Sequence, residues 1–292
     1  MSSSSPQQAA WLPKLVIAPS FVLSLLFIYG LMAWNGYLSM SASRILPNYD
    51  FVGLQHYGAL LDSDRFRVAM TNMAVFGFCF IGGAMALGVL LAILLDQKVR
   101  GEGVLRTIYL YPMAISFIVT GTAWKWILNP GLGLQHLMHS WGFTDFQFEW
   151  LVDQDMAIYC VVIAGVWQSA GFVMALFLAA LRGIDDSIIK AAQVDGASLP
   201  RIYWRIILPS LGPVFFSTLM VVSHLAIKSF DLVMALTAGG PGYATDLPAT
   251  FMYATAFTRG QIGVGAASAT VMLATVAAIV VPYLYSELRS KR

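Results

Sequence analysis

Long apolar runs are the feature of this sequence that most restricts its fold. Several of them reach or exceed the roughly 20 residues that an α-helix needs to cross the hydrocarbon core of a bilayer. Of the 292 residues, 58% are hydrophobic and only 11% are charged, whereas about 25% of the residues of a soluble domain are charged. The runs are apolar on all sides, while membrane β-strands alternate polar and apolar side chains. We therefore expect an all-α polytopic membrane protein.

The apolar runs predict six transmembrane helices. The segment before them, residues 1–14, is rich in Ser and Gln and is predicted to be a disordered cytoplasmic tail, so that one transmembrane domain occupies residues 15–292. The first run is longer than the apolar core of a secretory signal peptide and lacks an Ala-x-Ala exit, so we expect it to remain in the protein. The predicted spans are about 15–38, 69–95, 104–128, 156–181, 208–236 and 262–286.

Basic residues are distributed unequally between the loops. The chain has 17 Lys and Arg residues and a net charge of +2. If both termini lie in the cytoplasm, 11 of these 17 residues lie on or near the cytoplasmic side, as the positive-inside rule requires. This asymmetry predicts cytoplasmic N and C termini and a cytoplasmic loop at residues 182–209. The eleven residues are Lys14, Lys98, Arg100, Arg106, Arg182, Lys190, Arg201, Arg205, Arg289, Lys291 and Arg292.

The loop at residues 182–209 is predicted to form two short helices joined by a turn. Asp195-Gly196 ends the first helix, because glycine accepts the left-handed conformation of a helix end. Ser198 is placed to cap the second helix, with Pro200 in its first turn. On composition alone, the first helix fits two roles, docking into a groove of a partner protein or lying on lipid headgroups. The candidates for its N-cap are Asp185, Asp186 and Ser187.

The same loop resembles a known family. Its letters KAAQVDGA (190–197), followed at set spacings by an aromatic residue, Ile and Leu-Pro, are similar to the EAA loop of bacterial ABC importer permeases. The resemblance implies the fold of a type I ABC importer permease, in which this loop is a coupling helix that docks into a cleft of the ATP-binding subunit. The residues to which it assigns this contact are Lys190, Ala191, Ala192, Asp195, Gly196, Ala197, Tyr203, Ile206, Leu208 and Pro209.

Lys190 departs from the family pattern, which usually has Glu at this position. If the family's acid pairs with a basic residue of the ATPase, that contact is absent or inverted here. Docking then rests on the small residues of the motif and on Asp195. The alternative is that Lys190 is a solvated basic residue of the cytoplasmic side.

Two more stretches resemble the carbohydrate branch of these permeases. Residues 230–245 (FDLVMALTAGGPGYAT) are similar to the end of its fifth span and the outer loop, and residues 51–57 (FVGLQHY) with the region of Asn72 to its first outer loop and second span. Maltose, glycerol-phosphate and glucose/mannose permeases are similar in type, and the resemblance favours a monosaccharide such as glucose or mannose. It implies import across the bacterial inner membrane, with a second homologous permease, two ATP-binding cassette subunits, an external sugar-binding protein and lipid as partners, and no nucleic acid.

Nucleotide chemistry is expected on another chain. No G-x-x-x-x-G-K-[ST] motif occurs, so the sequence has no P-loop to hold phosphates, and ATP and Mg²⁺ are expected on the ATPase subunits. No H-E-x-x-H or G-x-S-x-G motif occurs either, which predicts a transporter subunit rather than an enzyme, with no cofactor on this chain. His136 and His139 form an H-x-x-H pair without a third ligand, so we predict no metal site.

Polar and aromatic side chains of the fourth and fifth spans are the candidates for the substrate path. An uncharged sugar needs hydrogen-bond partners for its hydroxyls and an aromatic face for its C–H surface. The alternative for each polar residue is a hydrogen bond to a neighbouring helix. Lys228 and Asp231 lie three residues apart in the predicted fifth span and are placed to neutralise each other. The predicted path residues are Trp167, Gln168, Ser169, His224, Phe230 and Asp231.

Two other classes of protein remain open at this point. An ion-coupled secondary sugar transporter would act without an ATPase and would need a titratable residue near the membrane midplane. Only Asp231 and His224 are available for that role. A channel or a scaffold would need no docking loop.

Overall fold

The described part of the chain is mostly helical. The computed structural model describes residues 6–46, 48–97 and 99–290, and within them the only β-pairing is an isolated antiparallel bridge between Ser41 and Phe51. The helices before residue 150 are α1 (Pro6–Ser24), α2 (Gly30–Leu38), α3 (Gln55–Asp62), α4 (Asp64–Asp96), α5 (Glu102–Ala114), α6 (Phe117–Ile127) and α7 (Leu134–Ser140). Those after it are α8 (Ala157–Leu181), α9 (Asp186–Val194), α10 (Leu199–Ile202), α11 (Leu208–Ser210), α12 (Gly212–Ile227), α13 (Phe230–Leu236), α14 (Pro248–Tyr253) and α15 (Ile262–Ser290). Turns of π-helix lie at Leu25–Tyr29, Tyr203–Ile207 and Ala254–Thr258.

Four helical segments are long and apolar enough to cross a bilayer. They agree with the predicted first, second, fourth and sixth spans, although their ends differ by a few residues. A helix starts at Pro6, so the prediction of a disordered tail was wrong for residues 6–14. Residues 1–5 and three of the predicted cytoplasmic basic residues (Lys98, Lys291 and Arg292) lie outside the described residues. The four segments are Lys14–Leu38, Asp64–Asp96, Ala157–Leu181 and Ile262–Pro282.

The predicted third span, residues 104–128, is broken in its middle. Helices α5 and α6 are together long and apolar enough for one span, but they meet at an angle of 102°. Pro112 lies in the last turn of α5, where it removes a backbone donor and weakens the helix. Ser116 then caps α6, and its hydroxyl accepts a hydrogen bond from the Val119 N–H (3.4 Å). The prediction of one continuous helix here was wrong.

The predicted fifth span, residues 208–236, is broken twice. Leu199–Ser210 and Gly212–Ile227 meet at an angle of 71°. A second break follows at Lys228, which caps the end of α12 before α13 begins. The described residues therefore hold four spans, or up to six if each bent pair crosses as one. The count of six and the cytoplasmic termini remain predictions.

The described residues divide into two compact units, whereas one transmembrane domain was predicted over 15–292. The first comprises the chain up to Asp62 together with Met252–Val271, and the second comprises Ser63–Phe251 and the chain from Met272. In the first unit, the Asn35 side chain donates hydrogen bonds to the Ala266 carbonyl and the Thr270 hydroxyl, both at 3.1 Å. These bonds tie α2 to α15, since interhelical hydrogen bonds hold helices that apolar contacts alone would not orient.

Packing of α8 against α4 and α5 forms the core of the second unit. Phe76 and Phe80 of α4 are buried there and stack with ring centroids 5.2 Å apart. Gly171 of α8 lies so close to α5 that a Cβ atom would be 2.0 Å from the carbonyl oxygen of Tyr109. Small residues permit this approach of helix backbones in membranes. Helices α5 and α8 are therefore in direct backbone contact.

The first apolar helix carries its hydrophobic surface on the outside. Every residue from 14 to 34, a range that makes up most of the apolar segment Lys14–Leu38, is exposed. A contiguous apolar surface of this size requires cover from lipid or from another protein chain.

A buried ion pair fixes the segment that follows α13. Arg65 Nε lies 2.5 Å from Asp246 Oδ2, the Asp246 side chain is 1% exposed, and the guanidinium lies 4.3 Å from the centroid of the Tyr243 ring. Asn72 Nδ2 donates to the carbonyl oxygens of Tyr243, Ala244 and Asp246 at 3.4, 3.0 and 3.0 Å. A buried carboxylate is tolerated when it is paired and hydrogen-bonded, so these contacts hold the segment in one conformation against the start of α4.

We expect Asn72→Leu to lower the free energy of unfolding by about 1–3 kcal/mol, because it leaves carbonyl groups of the segment without a donor. Thermal unfolding of the purified chain in detergent measures the change. Thr71→Val is the matched control, since the Thr71 side chain is exposed and bonds to the Arg67 carbonyl of its own helix (3.0 Å). Equal stability of the two variants would contradict a holding role for Asn72.

Candidate functional site

The loop at residues 182–209 has the predicted helix–turn–helix form, and it is called the coupling loop from here on after the role that was predicted for it. The Asp185 side chain caps α9 by accepting a hydrogen bond from the Ser187 N–H (2.8 Å), and this bond holds the pKa of the Asp185 carboxyl below its usual value. Helix α9 ends at Val194, and Gly196 follows with a φ of +79°, which glycine adopts without strain. Ser198 precedes α10 as predicted, but its side chain makes no capping hydrogen bond.

The predicted docking residues divide into an exposed group and a group that packs against the chain itself. Ala192 and Tyr203 are buried, and Ala197 and Leu208 are partly buried. The exposed group forms the available face of the loop and consists of Lys190, Ala191, Asp195, Gly196, Ile206 and Pro209.

The two most exposed apolar side chains of the coupling loop were missing from the predicted docking residues. Val194 is 87% exposed and Trp204 is 74% exposed. The signal was present in the sequence, since Val194 lies within the motif and Trp204 directly follows its aromatic residue. Their exposure could not be read from the sequence because it depends on how α9 and α10 turn against the rest of the chain.

Tyr203 contacts its own chain rather than the exposed face of the loop. Its hydroxyl donates a hydrogen bond to Asp96 Oδ2 (2.5 Å) and accepts one from Gln97 Nε2 (2.7 Å). Asp96 is the last residue of α4 and Gln97 caps that helix. The polar atom of Tyr203 is therefore held inside the chain, and its role in coupling to the ATPase stays a prediction.

A cavity in the second unit lies where α5 and α6 break. It has a volume of about 270 Å³. Its two polar lining residues are Gln168 and Ser169, both buried and both predicted path residues. The remaining lining residues are apolar, namely Met113, Phe117, Phe172, Val221 and Leu225. The cavity therefore offers two hydrogen-bonding side chains and two aromatic rings within an apolar wall.

Gln168 connects this cavity to the helix break. Its Nε2 donates a hydrogen bond to the carbonyl oxygen of Ile115 (2.6 Å), which lies between α5 and α6. A helix break in a membrane leaves backbone groups that need another partner, and Gln168 supplies one. Its other polar atom, Oε1, is buried without a hydrogen-bond partner among the described residues. This oxygen is a hydrogen-bond acceptor that the described residues leave unused.

The other predicted path residues lie outside this cavity. Trp167 lines a different cavity of about 410 Å³, and its ring meets that of Trp124 edge-on with centroids 5.9 Å apart. His224 and Asp231 are exposed, and Phe230 is partly buried. The structure thus brings together two of the six predicted path residues, Gln168 and Ser169.

Lys228 and Asp231 do not share a helix, contrary to the prediction. Helix α12 ends before Lys228, and Asp231 lies in the first turn of α13. Both side chains are exposed, and among the described residues no ion pair joins them. The break at Ser229, whose hydroxyl donates to the Leu225 carbonyl (2.8 Å), ends the helical spacing on which the prediction depended.

The histidines of the H-x-x-H pair have no metal-binding neighbours within the described ranges. No group of three His, Cys, Asp or Glu side chains with metal-binding geometry occurs there. His139 Nε2 instead bonds to the Phe146 carbonyl (2.7 Å).

Sequence comparison places the chain among transport proteins. The profile of a family described as the binding-protein-dependent transport system inner membrane component matches residues 84–290. A probable ABC transporter permease of Pyrococcus horikoshii is 38% identical over 273 residues, which cover 93% of this chain and 94% of the relative. The xylose/arabinose import permease of Haloferax volcanii is 36% identical over 91% of this chain and 84% of its own length. An sn-glycerol-3-phosphate transport system permease of Salmonella typhi is 32% identical over 98% of both chains.

Solved structures share the fold. A chain in the crystal structure of a bacterial ABC transporter involved in the import of the acidic polysaccharide alginate superposes with a TM-score of 0.84, at 22% identity over 98% of both chains. A second alginate transporter structure, in complex with a pentasaccharide-bound periplasmic protein, gives a TM-score of 0.82 at 22% identity over 94% of this chain and 93% of that one. The arrangement of helices described above is thus found in known ABC transporters.

The family profile covers more than half of the chain, its relatives align over most of their length, and several helices are able to span a membrane. The chain belongs to the family of binding-protein-dependent transport system inner membrane components, and it is a multi-pass membrane protein whose role is transport rather than catalysis.

Proposed function

We propose that this chain is the permease subunit of an ATP-driven sugar importer and forms the translocation pathway together with a second, homologous permease. The coupling loop is the observation that carries the proposal. It presents an exposed helix and a left-handed glycine turn on a chain whose sequence contains no P-loop. Relatives named for xylose/arabinose and glycerol-3-phosphate transport support a polyhydroxylated substrate.

The ATPase subunits are the proposed partners of the exposed face of the coupling loop. Ala191 and Gly196 have little or no side chain, so another backbone can approach them closely, and Val194 supplies an apolar side chain for a groove. Lys190 is exposed beside them. Its ammonium group would pair with an acidic or polar group of the ATPase, whereas the Glu that the family usually has here would pair with a basic group. Two ATP-binding cassette subunits would hold ATP and Mg²⁺, and this chain would hold neither.

The cavity that holds Gln168 and Ser169 is the proposed part of the substrate path in this chain. Gln168 Oε1 and the Ser169 hydroxyl suit sugar hydroxyls, and Phe117 and Phe172 offer aromatic faces for C–H groups. Its volume of about 270 Å³ is just below the roughly 300–1,000 Å³ of drug-sized ligand pockets, which is consistent with one sugar ring. Glucose or mannose remains the predicted substrate type, delivered by an external binding protein as the family description implies.

The ion-coupled alternative gains no support from the site. It needs a titratable group along the path, and the two candidates, His224 and Asp231, do not line the cavity. ATP-driven alternating access therefore stands as the proposed mechanism, in which movement of the coupling loop changes the walls of the cavity.

Sugar uptake is expected to require ATP and the ATPase subunits. Vesicles that contain the complete importer with its binding protein should accumulate radiolabelled sugar when ATP is present on the side of the coupling loop, because this chain has no nucleotide site of its own. A panel of xylose, arabinose, glucose, mannose and glycerol-3-phosphate identifies the substrate. Uptake by this chain and its partner permease alone, driven by an ion gradient, would contradict the proposal.

We expect Gly196→Val to lower ATP-driven uptake by roughly tenfold or more, a loss of about 1.4 kcal/mol or more of docking free energy. Valine strains the backbone at a φ of +79°, but no atom lies within 4 Å of the added Cβ, so the strain is confined to the turn and the variant should still insert and fold. Uptake and co-purification of the ATPase subunits are the measurements. Gly142→Val is the matched control, since Gly142 also has a positive φ (+96°) and open space around it but lies outside the coupling loop. Equal uptake by the two variants would argue against docking at Gly196.

We expect Gln168→Leu to raise the sugar concentration for half-maximal uptake by about fivefold, the equivalent of about 1 kcal/mol for one lost hydrogen bond. Initial uptake rates at a series of sugar concentrations measure it. Thr122→Val is the control, because Thr122 is in α6 outside the cavity and its hydroxyl donates to the Ile118 carbonyl of its own helix (2.9 Å). If the half-maximal sugar concentration of Gln168→Leu equals that of the wild type, Gln168 does not bind the sugar.

A further inference from the structure

Both ends of the coupling loop are held at the junction between α4 and α5. At the start of the loop, Arg182 Nη2 donates to Glu102 Oε1 (2.5 Å). Near its end, the Tyr203 hydroxyl bonds to Asp96 (2.5 Å) and Gln97 (2.7 Å). Asp96 is the last residue of α4 and Glu102 is the first residue of α5. The loop is therefore tied at two points to the adjoining ends of two consecutive helices.

The two ties differ in strength for a physical reason. Tyr203 is buried, with 9% of its surface exposed, and hydrogen bonds to a charged carboxylate are about twice as strong as neutral ones. The Arg182 and Glu102 side chains are 42% and 26% exposed, so water and salt weaken their attraction. The Tyr203 contact is the firmer of the two, and the ion pair adds a second fixed point.

Between the two ties, helix α9 is mostly exposed. Every residue of α9 is exposed except Ile189, which is partly buried, and Ala192, which is buried. A force applied to the exposed face of α9 can therefore reach the rest of the second unit through the packing of Ala192 and Ile202 and through polar contacts. The polar ones are those of Arg182 and Tyr203.

The helices that receive these ties form one packed body. Helix α8 packs along both α4 and α5, and the contact of Gly171 with the Tyr109 carbonyl leaves no room between α5 and α8. This body supplies Met113, Gln168, Ser169 and Phe172 to the wall of the cavity. The rest of the wall comes from α6 and α12, through Phe117, Val221 and Leu225. Movement of the body relative to α6 and α12 must change the shape of the cavity.

We propose that Tyr203 and the Arg182–Glu102 pair are positioning residues that deliver movement of the coupling loop to the body of α4, α5 and α8. The inference rests on the proposed function and names the contacts that transmit the movement of the loop to the helices. When α9 is pushed, the two ties make the ends of α4 and α5 follow it. Without them, α9 moves while these ends lag behind, and ATP is hydrolysed with less sugar carried.

The test measures how many sugar molecules enter per ATP hydrolysed, in vesicles that hold the complete importer isolated through a tag on this chain. The probe is the radiolabelled sugar that the wild type takes up from the panel given above. We expect Tyr203→Phe, which keeps the ring and removes the hydroxyl, to lower this ratio about fivefold or more, the low end of coupling between sites. Glu102→Arg and Arg182→Glu should each lower it, and combining the two, which restores the pair with reversed charges, should raise it again.

Two controls match these changes elsewhere in the chain. Tyr159→Phe removes a hydroxyl of α8 that makes no hydrogen bond to the described residues. Exchange of Asp64 and Arg67 reverses an exposed ion pair (3.3 Å, 94% and 62% exposed) at the start of α4. Both controls should keep the wild-type ratio.

An unchanged ratio in Tyr203→Phe and in both single charge reversals would overturn the inference. A fall of uptake and hydrolysis in equal proportion would also overturn it, because a merely structural defect reduces the amount of active complex without changing the ratio. If Tyr203→Phe fails to assemble, the charge-exchange series decides. Failure of the wild-type complex to show ATP-driven uptake would instead overturn the proposed function, and this inference with it.

Discussion

The absence of water from the hydrocarbon core is the constraint on which this structure depends. Backbone groups in that environment must find partners within the protein, because each unsatisfied group costs several kcal/mol. Continuous helices meet the requirement by themselves, and most of the chain follows this course. At the break between α5 and α6, the Gln168 side chain bonds the Ile115 carbonyl (2.6 Å). The same residue also lines the cavity next to the break, and its Oε1 atom has no hydrogen-bond partner among the described residues.

Polar contacts are concentrated where helices end, and apolar contacts fill the lengths between them. At one end of α4, Asn72 and Arg65 hold the segment that contains Asp246. At the other end, Asp96 bonds Tyr203 of the coupling loop. Since apolar packing has little directional preference in lipid, such bonds set how the helices are placed. The core of the second unit is thus a closely packed body whose two ends are fixed by side chains of different loops.

Local features of the coupling loop could be predicted from the sequence because they depend on neighbours in the chain. The cap at Asp185 and the turn at Gly196 follow from capping chemistry and from the freedom of glycine, and both are confirmed. Four spans follow equally from length and hydropathy. The breaks in the other two predicted spans were missed, although Pro112 and Ser116 were visible, because two residues change the mean hydropathy of a long run very little.

Contacts between distant parts of the chain account for the remaining differences. Tyr203 carries the family-like aromatic position, but the sequence does not show that its hydroxyl meets Asp96, 107 residues away. Gln168 and Ser169 were predicted together with Trp167, yet the helix directs Trp167 into another cavity. The predicted pairing of Lys228 with Asp231 assumed a continuous helix. The helix breaks at Ser229, so the two residues do not lie on one helical face.

In this chain by itself, Val194 and Trp204 are 87% and 74% exposed. Proteases and chaperones of the cell act on surplus subunits by way of exposed apolar side chains and unfolded segments. If the ATPase covers these two residues, the lifetime of each copy depends on finding its partner. The same surface then helps to match the number of permease subunits in the membrane to the number of ATPase subunits available to them.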